Sequence, residues 1–509
     1  QLARQRSVAT AGAAAAAATG TLVRTPAGRA RRQWLDFQHD VTVADVELAI
    51  REGFAHIEHV KRYTTAGMAI DQGRTSSRNT MLTVAELTGR DPAAVGATTC
   101  RPPYTPVTLG ALAGRQTGPR YAPRKLLPAH AEHEALGAHW WEAGGWLRPS
   151  CYPRAGETPA EAIRREALAV RGAAGIYDAS PLGQLEITGR DAATFIDRCY
   201  CNNMRTLAPG RVRYGLMLNE AGVIIDDGTV ACLEPARWLV TTTSGAASRI
   251  ALWLEEWRQC EWPELEVFIT PVTTQWATVA LSGPRARDIL ARLGPDFPID
   301  GASLPHLSVR EGRIAGAAAR LYRVSYSGEL GFEISVPARY GAALWRRLLE
   351  TGSDAGLTPY GIEAVLLLRL EKGFLHVGVD TDGTTAPADV GWGAIAAKKQ
   401  ADFIGQRSLI RADNRRTDRR QLVGLVANDP RVLVPGAHLR LPGTRAGSDG
   451  WVTSAAVSPA LGHPIALALL AGGQARLGEH VTVHDLDRQC EAEIVATPFY
   501  DPQGERLHA

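Results

Sequence analysis

The sequence predicts an α+β chain in three parts: a small helical module, a large domain mixing helices with strands, and a C-terminal β-barrel. Three observations lead there. Helix-capping signals cluster between residues 34 and 106. From 126 to about 410, helix-like and strand-like segments mix without the regular βαβ rhythm of a doubly wound sheet. Across 421–509, short Val- and Leu-rich runs are separated by Pro435-Gly436, Pro442-Gly443 and Gly472-Gly473, the punctuation of a barrel. A chain of 509 residues exceeds what one hydrophobic core organises, so several domains are expected.

Residues 1–33 hold an alanine tract and several arginines but no G-x-G-x-x-G fingerprint. They read as a leader or the remnant of a preceding domain, and a start at Gln1 rather than Met points the same way. In the module, Thr42-Val-Ala-Asp45 is a capping box opening a helix that Gly53 ends, and Ile57–Tyr63 is a second helix. Thr83-Val-Ala-Glu86 opens a third, and Asp91-Pro92 has the N-cap chemistry of a fourth. Arg101-Pro-Pro-Tyr-Thr-Pro106 leads into a Gly-rich, basic stretch, 107–125, read as an extended linker. Apolar spacing then marks helices at Pro159–Val170, Asp191–Asp197, Ala286–Leu293 and Tyr340–Leu349, and a strand at Gln184–Thr188. The charge run from Arg411 to Arg420 reads as a solvated connector.

Composition excludes several classes. A net charge of +3 gives no reason to expect nucleic acid, and no apolar run of about 18 residues predicts a membrane span. Seven scattered cysteines read as free thiols of a reducing, cytoplasmic protein. Asp380, Asp382, Thr385 and Asp389 lack the later bidentate glutamate of a calcium loop, and the histidines show no metal-ligand spacing, so no metal is expected.

Two stretches carry chemistry. From Tyr214 to Val230, two apolar runs flank Asn219-Glu-Ala-Gly222, a β-hairpin whose outgoing strand bears Asp226 and Asp227. Alternation sends one aspartate to each face, so one points inward if either face is buried. A solvated acidic turn fits the same letters. From Ser327 to Val336 a strand pattern puts Glu329, Gly331, Glu333 and Ser335 on one face and Leu330, Phe332, Ile334 and Val336 on the other. Gly331 leaves room beside Glu333 for a flat ring.

These stretches, with Gly175-Ile-Tyr-Asp-Ala-Ser180, Arg369-Leu-Glu-Lys-Gly-Phe374, Val379-Asp-Thr-Asp-Gly383 and Ser458-Pro-Ala-Leu-Gly462, resemble the folate-binding aminomethyltransferase family of glycine cleavage T-proteins. Within it they are similar to the folate half of heterotetrameric sarcosine oxidase α subunits. The resemblance implies an enzyme in which tetrahydrofolate captures a one-carbon unit as 5,10-methylenetetrahydrofolate. Partners implied are β, γ and δ subunits, with flavin on a partner and NAD only if a further N-terminal domain exists. Glu333 matches the pterin-binding glutamate, Asp227 the aspartate near N5 and N10, and Tyr214 and Tyr326 the folate-lining tyrosines. The module resembles one that elsewhere holds four cluster cysteines, but here only Cys100 is present, so no iron–sulfur centre is expected. Two departures from the glycine-cleavage pattern stand out: Val365 where an arginine is usual, and no clear match in Phe499-Tyr-Asp-Pro-Gln-Gly504 for a C-terminal tyrosine. A free-standing aminomethyltransferase or demethylase is the alternative enzyme. A folate-binding scaffold ranks below it, since Asp402-Phe-Ile-Gly-Gln-Arg407 lacks the scaffold's motif cysteine.

Overall fold

A computed structural model describes residues 32–102, 107–443, 447–486 and 488–509. The reading of 1–33 therefore lies almost wholly outside the described residues, as does part of Arg101–Pro106. The chain divides between Ala122 and Pro123 into two compact units.

In the first unit, strands β1 (Trp34–Asp36) and β2 (Val41–Thr42) pair antiparallel ahead of four helices. These are α1 (Val43–Arg51), α2 (Ile57–Thr64), α3 (Ser77–Thr88) and α4 (Pro92–Val95). The capping box forms as expected, Thr42 donating from both N and Oγ1 to Asp45 at 2.7 Å, and Asp91 accepts from Ala93 N at 2.7 Å. Thr83 corrects the sequence reading. It sits mid-way along α3, its hydroxyl donating to the Asn79 carbonyl at 2.8 Å, because a threonine can bond back along a helix as readily as cap one. Val46, Val60, Val84 and Val95 form the core. The stretch read as a linker also carries a short helix, α5 (Leu109–Ala113), capped by Thr108 onto Ala111 N at 3.1 Å.

The second unit begins with α6 (His130–Ala135) and a hairpin of β3 (His139–Ala143) and β4 (Trp146–Cys151). An eleven-stranded sheet follows: β5 (Ala174–Asp178), β6 (Gly183–Thr188), β7 (Arg211–Leu218), β8 (Ile224–Glu234), β9 (Arg237–Thr242), β10 (Phe268–Pro271), β11 (Trp276–Ser282), β12 (Ser308–Ile314), β13 (Ala317–Arg323), β14 (Gly331–Pro337) and β15 (Leu357–Pro359). Its order is β10-β6-β9-β8-β7-β12-β13-β14-β11-β5-β15, antiparallel except for β5 with β15. A mainly antiparallel sheet among helices is the α+β layering that the irregular rhythm predicted. Helices α7 (Pro159–Gly172), α8 (Ala192–Cys199), α9 (Ala247–Glu256), α10 (Ala286–Arg292), α11 (Gly341–Gly352) and α12 (Ile362–Glu371) complete the domain. One core gathers Ile176, Leu281, Phe332, Ile334 and Trp345; another gathers Ile187, Phe195, Trp238 and Ile250. Beyond it β16 (Arg420–Ala427), β17 (His438–Arg440), β18 (Gly450–Val457), β19 (Pro464–Ala471), β20 (His480–Asp485) and β21 (Arg488–Val495) close into a barrel, which leaves no sheet edge exposed.

Buried charges tie the barrel to the larger domain. Arg171, at the end of α7, donates to Glu371 at 2.6 and 2.9 Å and to Glu329 at 2.9 Å, and its guanidinium lies 4.2 Å above the Tyr500 ring. Ser458 of the barrel donates to the other Glu371 oxygen at 2.6 Å. Nearby, Arg369 pairs with Asp380, which also accepts from Thr453 at 2.6 Å and Ser454 at 2.7 Å. Two corrections follow. Glu329 lies before β14 instead of on it and is buried in this network, since Arg171 offers a better partner than water does. The charge run is not simply solvated, because Arg419 folds inward to clasp Asp389 at 2.6 Å.

Removing one member of a buried ion pair typically costs about 3–5 kcal/mol. Arg171→Met is accordingly expected to lower the urea midpoint, and the double variant Arg171→Met/Glu371→Gln to recover part of the loss. An unchanged midpoint for the single variant counts against the network.

Candidate functional site

The hairpin β7–β8 forms where the sequence predicted it. Asn219 Oδ1 accepts from Ala221 N and Val223 N at 3.0 Å, and Gly222 turns the chain at φ +81°, a conformation that side chains resist. The adjacent aspartates part company. Asp226 faces the core beneath the sheet and is held by Thr243, whose Oγ1 donates at 2.7 Å and N at 3.2 Å. Asp227 takes the opposite face, diagonal across the strand pair from Tyr214, whose hydroxyl donates to it at 2.7 Å. Trp392 braces the Tyr214 ring edge-on, with centroids 5.3 Å apart.

Burial pushes the Asp227 carboxyl up to about 7; the Tyr214 bond pulls it down and Asp226 adds to the rise. Burial and Asp227 together hold the Tyr214 phenol well above its usual range, so it remains the donor.

Glu333 stands on the other half of the sheet. Strand register places Tyr177, Ala280, Glu333 and Tyr322 side by side across β5, β11, β14 and β13, on one face. The Glu333 carboxyl is likewise pushed up to about 7, by burial alone, and has no hydrogen-bond or ion-pair partner among the described residues. Asp227 and Glu333 both lie deep in the protein, yet each keeps part of its surface accessible. Tyr326 joins the two sides: it is within electrostatic reach of Asp227 and of Tyr177, the row-mate of Glu333. Its hydroxyl donates to the Leu375 carbonyl at 2.8 Å and its ring stacks on Phe374.

Of the four residues singled out from sequence, Asp227 and Tyr214 are in direct contact, Tyr326 is within electrostatic reach of Asp227, and Glu333 is linked to them through Tyr177, which Tyr326 also reaches. Gly331 does not act as the pattern implied. A Cβ there would stand 2.7 Å from the Val324 carbonyl, so its smallness serves close approach of backbone, not room for a ligand. Sequence reasoning missed Arg148, Tyr177, Tyr360, His376 and Trp392. Tyr177 was within reach, inside the Gly175–Ser180 phrase; Arg148 was not, because its partners Tyr177 and Ser244 are 29 and 96 residues away. Among the described residues no His, Cys, Asp and Glu side chains gather as a metal site, and no helix is long and apolar enough to cross a membrane.

The GCVT N-terminal domain family matches residues 129–400, just over half of the chain. This chain belongs to the aminomethyltransferase family. Two further matches extend the likeness: the glycine cleavage T-protein C-terminal barrel domain over 420–501 and the sarcosine oxidase A3 domain over 30–115. An aminomethyltransferase of Corynebacterium aurimucosum is 33% identical over 375 residues, covering 73% of this chain and 97% of that one. A sarcosine oxidase subunit alpha of Rhizobium meliloti is 44% identical over 501 residues, covering 96% of this chain and 51% of that one. The chain thus spans about half the length of the curated sarcosine oxidase relatives it matches. The crystal structure of glycine cleavage system aminomethyltransferase T from Bartonella henselae aligns with a TM-score of 0.65 at 26% identity, over 74% of this chain and 98% of that one. For an aminomethyltransferase-type site the donor set fits a pterin. A deep, unpaired carboxylate can accept two neighbouring N–H donors, and aromatic rings flank it.

The two raised carboxyls set a stability trend. Folded, they hold protons up to about pH 7; unfolded, they release them near 4. Between these values the folded state binds more protons, so stability falls as pH rises through that window and levels off above it. Asp227→Asn and Glu333→Gln are each expected to raise the melting temperature at pH 8, with the gain shrinking toward pH 4. Thermal melts across pH 4–8 check this; a gain of equal size at both ends contradicts the assigned shifts.

Proposed function

We propose that this chain is the folate-binding part of a sarcosine oxidase α subunit. It captures the one-carbon unit released by oxidative demethylation of sarcosine as 5,10-methylenetetrahydrofolate. The observation that carries the proposal is the Glu333 carboxylate, pushed up by burial and without a partner among the described residues, beside Tyr177, which Tyr326 reaches together with Asp227. The likeness to sarcosine oxidase α subunits across both the module and the folate domain supports the choice of reaction. Flavin, in this reading, resides on a partner subunit, with β, γ and δ chains completing a cytoplasmic heterotetramer. NAD enters only with a further N-terminal domain.

Tetrahydrofolate supplies the nucleophilic N5 and N10 that take up the carbon. Glu333 accepts the N3 hydrogen and 2-amino group of the pterin in a bidentate pair, which fixes the ring's orientation. Asp227 faces N5 and N10. A carboxyl poised near pH 7 both balances positive charge as carbon binds and passes protons at working pH. Tyr214 fixes the direction of that carboxyl, and Tyr326 lines the cavity between the two acids. Holding donor and acceptor together turns a slow encounter into a local one and keeps formaldehyde from escaping.

Fluorescence titration of the purified chain with tetrahydrofolate tests this. Glu333→Gln is expected to weaken binding about 10–100-fold, the loss of one or two charge-assisted hydrogen bonds. Asp227→Asn is expected to slow methylenetetrahydrofolate formation from formaldehyde about 100-fold or more while binding changes little. If both variants bind and react like the parent, the assignment of these residues fails.

A further inference from the structure

Arg148 of β4 shares with Arg323 the lack of a side-chain carboxylate partner, and it alone among the buried arginines described in this domain is met only by hydroxyls. Arg171, Arg320 and Arg369 each hold a carboxylate, and Arg323 donates to the backbone carbonyls of Gly331, Leu507 and Ala509. Arg148 is 7% exposed and has no carboxylate partner among the described residues. It donates to two hydroxyls, Ser244 at 3.2 Å and Tyr177, while its Nε–H has no partner and is shielded from water. Neutral hydroxyls satisfy hydrogen bonds but leave the charge uncompensated. A buried cation in that condition costs several kcal/mol unless an anion completes it.

Its position states where that anion belongs. Ser244 follows Thr243, which holds Asp226, the neighbour of Asp227. Tyr177 is the row-mate of Glu333. Through Tyr177, which is within electrostatic reach of both Arg148 and Glu333, the guanidinium lies on the Glu333 side of the site. His376, on the segment after α12, is also within electrostatic reach, and its ring has no hydrogen-bond partner among the described residues. Val365, where related enzymes carry arginine, packs in the same cluster as Tyr177, so it contributes no charge there.

We infer that Arg148 anchors the carboxylate of the α-amino acid that carries the one-carbon unit into the cavity, with glycine as the molecule left behind. The inference rests on the folate reading and names the second ligand of that site. A folate's own carboxylates sit at the far end of its p-aminobenzoyl tail, whereas a glycine unit carries its carboxylate one carbon from the nitrogen that bears the one-carbon unit. The balance closes without another reagent. The carrier is the methylene iminium of glycine; its carbon–nitrogen bond breaks as folate N5 and N10 bond to the carbon. The two hydrogens those nitrogens give up end on glycine nitrogen, and no oxidant or reductant is consumed.

The test is calorimetry on the full chain saturated with tetrahydrofolate, titrated with glycine and with glycinamide. The parent is expected to prefer glycine about 10-fold or more, and Arg148→Gln to erase that preference while its affinity for tetrahydrofolate stays within about 2-fold. Failure of the parent to bind tetrahydrofolate overturns the folate reading and this inference with it. A parent that binds folate but treats glycine and glycinamide alike overturns the carboxylate subsite alone, a comparison independent of how any variant folds. An Arg148→Gln protein that loses folate affinity and keeps the glycine preference also overturns it, by giving the cation to the folate.

Discussion

The guanidinium of Arg171 is the constraint on which the second unit is built. One side chain from the end of α7 reaches Glu329 just before β14, Glu371 at the end of α12 and the face of Tyr500 in the C-terminal segment. Three distant parts of the chain are thereby held to one point, and two of them lead into residues of the candidate site. Four residues beyond Glu329 the strand presents Glu333. Just past Glu371 the chain presents Leu375, whose carbonyl fixes Tyr326, and His376. Stabilisation here is a matter of geometry more than of net energy, since a well-formed buried ion pair contributes little by itself while a broken one costs much.

Against that satisfied network, the cavity is conspicuous for what is left unsatisfied. Glu371, Glu329, Asp380 and Asp226 all have several donors each, whereas Glu333 has none and Asp227 has only a tyrosine. Burial pushes both toward neutrality, as it also does the well-partnered Asp226 and Glu166; what sets Glu333 and Asp227 apart is their want of donors. The same contrast holds among the cations, where Arg148 stands to Arg171 and Arg369 as Glu333 stands to Glu371.

The parts of the structure set by local chemistry were legible in the letters. The hairpin at Asn219–Gly222 and the capping box at Thr42 rest on contacts a few residues apart, and the barrel after Arg420 was announced by its turn residues even though its strands pair over long separations, Gly424 with Val495 among them. Alternation correctly separated Asp226 from Asp227, because a strand permits nothing else. What failed did so for long-range reasons. Glu329 was read as a row-mate of Glu333, but Arg171, 158 residues away, draws it out of the strand. Gly331 was read as making room for a ligand, but the Val324 backbone occupies that room. The motif Arg369-Leu-Glu-Lys-Gly-Phe374 pointed to the family without disclosing that its charged members bind the barrel and not the ligand.

That last point bears on how such chains are assembled from modules. The barrel looks like an appendage, a closed six-stranded body following the larger domain. Yet Thr453, Ser454 and Ser458 reach out of it to Asp380 and Glu371, and those contacts steady both ends of the segment from Glu371 to Asp380. Deprived of the barrel, the larger domain would keep Asp380 and Glu371 but lose the three hydroxyls that donate to them. The two bodies are therefore welded by buried polar contacts, however separable they look in the order of their strands.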